Sequence, residues 1–147
     1  MSNCRYEAQV NEIIINNDTK ILVDTAQKIA KDIVVWKMKD NKPWKVDDAK
    51  SVSTSQIRNI FSTSKKIQMA LKNGDEKNIE SQYAKLLLMK PKLAYVCGRF
   101  DKIRGLQMLR DCLSSAIDQI DGDYDRMQNF FNFFEAILAY HKAEGGK

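Results

Sequence analysis

From Met127 to His141 the chain sets Met127, Phe130, Phe131, Phe134, Ile137, Leu138 and His141 at intervals of three and four, which puts them all on one side of a 3.6-residue helical turn. A stripe of that width has to be buried against neighbours. The same period recurs upstream. It predicts a helix over about Asp18–Met38, through Ile21, Leu22, Thr25, Ile29, Ile33 and Trp36, and a second from Ser53 or Thr54 to Asn73-Gly74, through Ile57, Ile60, Phe61, Ser64, Ile67 and Leu71. A third spans about Asp75–Met89, with Ile79, Tyr83, Leu86 and Leu87. A fourth spans about Lys102–Ile120, with Ile103, Leu106, Leu109, Leu113, Ala116, Ile117 and Ile120. The last helix covers about Asp123–Lys142. No useful length alternates with period two, so the expected fold class is all-α: a single compact bundle of about five helices, one domain over residues 1–147.

The boundaries carry their own signals. Ser53 followed by Gln56 matches a capping box, Asn73-Gly74 a C-terminal stop, and DGD at Asp121–Asp123 a turn. KDNKPWKVDDAKSVS, with Pro43 inside it, reads as a connecting loop. Residues 1–17, with Val10 and Ile13-Ile14-Ile15, read equally as a short strand, a helical turn or a tail that orders on binding. In LLLMKPKLAYVCGR, Pro91 fits either the first turn of a new helix or a kink in a continuing one, with the direction changing near Lys90.

Composition removes whole classes of function. No apolar run approaches the ~18 residues of a membrane span, and the N-terminus lacks a signal-peptide block, so a cytoplasmic protein with no membrane partner is expected. Cys4, Cys97 and Cys112 are far apart in the chain with no Cys-x-x-Cys pair, so reduced thiols and no zinc site are expected. His141 is the one histidine and sits on an apolar stripe, which suits a core residue better than a base. There is no glycine-rich phosphate loop and no nucleophile elbow. DGDYD resembles the start of a calcium loop, but Arg126 stands where that loop needs glycine and Asn132 where it needs glutamate. The expectation is a chain with no catalytic residues, no metal and no cofactor.

Charge is more informative, because it is segregated. Residues 42–110 hold fifteen Lys and Arg against six Asp and Glu, a balance of +9, whereas residues 111–140 hold six acids against Arg126 alone. Such a middle segment suits a polyanion partner. Within it, Arg58, Lys65 and Lys72 are seven apart, as are Lys85, Lys92 and Arg99, so each set forms a row along a helix. Rows of this kind track phosphates without reading bases. Ser55, Gln56 and Asn59 add neutral donors at a helix N-terminus. The plainer reading is a solvated face, which is ordinarily mixed in sign. Tyr95 suits either base stacking or the core. Phe133 and Tyr140 lie off the main stripe of the last helix, as a second aromatic ridge for a subunit contact or as the second buried side of a helix inside its bundle.

Three ordered motifs, STSQIRNIF at Ser53–Phe61, KPKLAYVCGR at Lys90–Arg99 and FEAILAYHKAEGGK at Phe134–Lys147, resemble the small subunit of the type III-A CRISPR effector, the Csm complex. The likeness runs from near residue 50 to the end, and Val96-Cys97 departs from the small residues expected there. The resemblance implies a helical subunit present in more than one copy and stacked as a filament beside the subunits that hold guide RNA. It implies contact with target RNA, chemistry left to neighbouring Csm subunits, and a dimer as one state of the isolated chain. The RNA-contacting candidates are Gln56, Arg58, Lys65, Lys72, Lys90, Lys92 and Arg99, and the subunit-contact candidates are Phe133 and Tyr140. A DNA-binding regulator with TSQIRNIF opening a recognition helix, and a scaffold whose cations meet only acidic protein surfaces, are the alternatives.

Overall fold

The computed structural model describes residues 3–145. Along them run α1 (Glu7–Asn16), α2 (Thr19–Ile33), β1 (Trp36–Lys39), β2 (Lys42–Val46), α3 (Thr54–Ala70), α4 (Glu76–Arg99), α5 (Arg104–Asp118) and α6 (Tyr124–Ala143). The fold is a helical bundle carrying one small antiparallel hairpin.

Short polar residues start most of the helices by accepting from a backbone N–H of the first turn: Asp18 from Ile21, Asp75 from Asn78 and Asp123 from Arg126. Ser53 and Gln56 close a reciprocal capping box at α3, as the sequence predicts. Asp123, taken up with capping α6, has its carboxylate directed at backbone.

Three elements differ from the sequence reading. Residues 7–16 form a helix, because Val10, Ile13 and Ile14 fall on one face and are buried; Asn17 ends it in the left-handed region at φ 53°. The helix expected to reach Met38 stops at Ile33, where Val34 turns extended, and Trp36–Val46 fold back as β1 and β2 across Asp40 and Asn41, both at positive φ. Two such residues are what a tight hairpin turn requires. Finally, α4 passes through Pro91 as one 24-residue helix, so the stretches expected on either side of the proline are a single element. Proline leaves the Leu87 carbonyl without its N–H partner. That gap is tolerable because Leu87 is exposed. Among the described residues six helices therefore stand where about five were expected.

The core draws side chains from every helix. α6 is its axis, packed by α1, α2, α3 and α5. Phe130, Phe131, Phe133 and Phe134 are all at most 2% exposed, and Phe134 meets Phe61 of α3 edge-on at 5.3 Å. The proposed ridge is thereby corrected: Phe133 is fully buried and Tyr140 half-buried against the core, because α6 has neighbours on more than one side. α4, by contrast, packs on α3 and α5 alone among the major contacts and leaves one long side to solvent. The cysteines are buried thiols. Cys4 and Cys112, 108 residues apart, bring their sulfurs to 2.7 Å, and Cys97 donates to the Leu106 carbonyl.

One junction ties the hairpin to the helices. The Val52 N–H donates to the Ile33 carbonyl at 3.0 Å, and the Val52 carbonyl accepts from His141 Nε2 at 2.7 Å. Gly105 lies against both residues: a Cβ there would stand 3.0 Å from Ile33 Cα and 3.0 Å from Val52 Cγ2. The ends of α2, α4 and α6 and the starts of α3 and α5 thus share one end of the molecule, from which the hairpin projects.

Candidate nucleic-acid interface

α3 and α4 are joined by the short turn at residues 71–75 and run antiparallel, which leaves an open groove of about 1050 Å³ between their outer faces. Ile60, Ile67, Met89 and Leu93 give it an apolar floor. Its walls carry Lys66 from α3 and Lys85, Lys92 and Arg99 from α4, together with Gln56, Asn59 and Tyr95, and no Asp or Glu is among the lining residues.

The continuity of α4 explains the arrangement. At 100° per residue, Lys85, Leu88, Lys92, Tyr95 and Arg99 fall within one narrow stripe, and over fourteen steps of 1.5 Å they span roughly 21 Å. Cations and apolar surfaces alternate along it. Lys66, Lys85, Lys92 and Arg99 form no ion pair among the described residues, and the Arg99 guanidinium sits 5.3 Å from the Phe100 ring centroid. Tyr95 is 71% exposed, so of its two readings the core is excluded. Gln82, buried in the same wall, has an Oε1 with no hydrogen-bond partner among the described residues.

The predicted residues separate into groups. Gln56, Lys92 and Arg99 line the groove; the Gln56 side-chain oxygen accepts from the Ser53 N–H, so its amide nitrogen is what remains for a ligand. Arg58 and Lys65 lie roughly 80–160° around α3 from Asn59, Thr63 and Lys66, and Lys65 Nζ is 3.3 Å from Gln68 on that other side. Lys72 falls beyond the end of α3 in the turn, so it is not part of a helical row. Lys90 points to the α5 side, where it is ion-paired with Asp118. The expected joint presentation of Lys90, Lys92 and Arg99 therefore does not occur.

Lys66, Gln82 and Leu88 belong to the groove and were not singled out in the sequence. Lys66 was legible: Asn59, Thr63 and Lys66 are spaced four and three apart, in step with Gln56. Gln82 was not, since nothing local marks a glutamine as buried. A helix-turn-helix is excluded as the setting of α3, because the hairpin and residues 47–53 stand between it and α2.

A family model described as Csm2 Type III-A matches residues 16–147, a wider span than the three motifs cover. No curated protein and no solved structure matches the chain.

Proposed function

We propose, because the chain belongs to the Csm2 type III-A family and is thereby a structural subunit of the type III-A CRISPR complex, that it holds RNA in the groove between α3 and α4 through backbone charge. The observation that carries this reading is the stripe of Lys85, Lys92 and Arg99, with Leu88 and Tyr95 between them, on one uninterrupted helix wall free of acids. Each cation neutralises a phosphate, and Tyr95 offers a ring face to an unstacked base. No set of groups here reads base edges, so target RNA of any sequence is accommodated and its identity is left to pairing with guide RNA.

The chain contributes no chemistry in this reading; RNA cleavage and other reactions belong to neighbouring subunits. Stacking in several copies, and a dimer of the isolated chain, belong to the same proposal and are supported only by the family likeness. Phe133, with no exposure, is taken up by the core, which leaves the half-buried Tyr140 as the candidate for a subunit contact on α6.

Binding across a salt series tests the reading. Single-stranded RNAs of unrelated sequence should bind alike and lose affinity steeply with salt, and duplex DNA should bind less well. A sequence preference that survives high salt, or an equal preference for duplex DNA, would return the chain to the class of DNA-binding regulators. Binding to acidic proteins but not to RNA would favour the scaffold.

A further inference from the structure

The β hairpin is the second strongly cationic surface of the molecule, and the groove does not include it. Its register sets Lys37 opposite Lys45 and Lys39 opposite Lys42, so four lysines share one face of a two-stranded ribbon. All four are exposed, and none forms an ion pair among the described residues. Like charges directly across a ladder destabilise it, and no acid among the described residues pairs with them. Between Pro43 and Lys45 the ladder skips a residue, and this irregularity carries Trp44. The indole is 54% exposed, with Lys45 Nζ 4.6 Å and Lys39 Nζ 5.9 Å from its ring centroid. An exposed aromatic ring flanked by unpaired cations is the arrangement on which single-stranded nucleic acid stacks a base while its phosphates are neutralised.

Position strengthens the argument. The hairpin leaves the bundle at Val34 and returns through Val52, the junction against which Gly105 packs, a few residues beyond Arg99 and Phe100. The groove opens toward the same end, where Ser55 and Gln56 of α3 face Arg99.

We propose that the hairpin is a second single-stranded RNA contact, in which Trp44 stacks one base and Lys37, Lys39, Lys42 and Lys45 hold the adjoining phosphates of a strand leaving the groove at its Arg99 end. The placement along one strand rests on the groove reading; the hairpin's own affinity for RNA does not.

The test compares three full-length proteins binding an unstructured oligouridylate at several salt concentrations: wild type, a hairpin variant (Lys37→Gln, Lys39→Gln, Lys42→Gln, Lys45→Gln) and a groove variant (Lys85→Gln, Lys92→Gln, Arg99→Gln). The hairpin variant should bind roughly tenfold or more weakly, with the slope of log K against log salt flattened by up to about 3, as four lost phosphate contacts require. Its melting temperature should not fall, since two like-charge pairs are removed. With the lysines intact, a Trp36→Phe protein leaves Trp44 as the reporter, and its emission should be quenched as RNA is added. Unchanged affinity and slope in the hairpin variant overturn the inference, and if the groove variant has then lost binding, the groove reading survives alone. Loss in the hairpin variant with none in the groove variant supports the hairpin contact and removes the groove. Trp44 emission unmoved by saturating RNA, with polyglutamate competing as well as RNA does, assigns the lysines to an acidic protein and overturns the inference.

Discussion

Lys90 of α4 is ion-paired with Asp118, the last residue of α5, whereas Lys92, two residues further on, faces the groove with no acid beside it. Two cations flanking one proline therefore have different tasks. Lys92→Ala and Arg99→Ala should each weaken RNA binding and flatten its salt slope by about 0.7, the value for one phosphate contact on a single strand. Lys90→Ala should leave both unchanged and lower stability by no more than about 1 kcal/mol, as a solvent-exposed pair allows. Salt-series binding on the three proteins decides it; an equal loss for Lys90→Ala would mean that the pair opens when RNA arrives.

Phe133→Ala should unfold or nearly unfold the protein. The ring has no exposure, and truncating a buried phenylalanine costs about 3–5 kcal/mol, a large share of a domain's stability. Tyr140→Ala, at a half-buried site, should cost less. Urea denaturation of both gives the comparison, and a fully stable Phe133→Ala would return that residue to a surface role.

Two glycines in the same region should respond in opposite directions. Gly98 lies inside α4 with open space around its missing Cβ, so Gly98→Ala should stabilise by about 0.5–1 kcal/mol through reduced unfolded-chain entropy. Gly105→Ala should destabilise by about 1–3 kcal/mol, because its Cβ would meet the Ile33 backbone, which cannot yield as a side chain tip can. Melting temperatures of the two single variants are the check.

Acid should weaken the fold through His141. Burial, reinforced by Lys142, lowers its pKa below the ordinary value of 6.5, and the hydrogen bond to Val52 opposes this only in part. The unfolded chain therefore binds the proton more readily than the folded one. The stability the neutral ring contributes is complete above pH 6.5 and is lost as pH falls from there toward the folded value. Unfolding free energies at pH 7.5 and 5.5 should differ in that sense, and the difference should shrink in His141→Gln.

How much of this was legible varied with the range of the forces involved. The cap at Ser53 and the stripes of α2, α3, α5 and α6 were visible because they depend on neighbours three and four residues away. The hairpin was present in the sequence as Trp36-Lys37-Met38-Lys39, apolar and charged in strict alternation, but four residues are few and Trp36 also completes the stripe of α2. Phe133 was ambiguous because a helix wheel tells which side a residue occupies and not how many sides are covered. In the groove, the common side of Lys92 and Arg99 was legible from their spacing, while the ion pair that turns Lys90 away was not, because its partner Asp118 is 28 residues away. The pairing of Cys4 with Cys112 lay beyond any local signal.

The junction at Val52 also bears on how the chain reaches this state. Its N–H is bonded to Ile33, its side chain meets Gly105, and its carbonyl is bonded to His141, 89 residues later. The turn between α3 and α4 closes over a handful of residues, so that helical pair can form early and locally. Each contact at Val52 instead closes a longer loop, and the last closes one of 89 residues. The two ends of the groove therefore rest on contacts of different range: the turn end on a closure of a few residues, and the Arg99 end, with the hairpin beside it, on contacts that reach as far as α6.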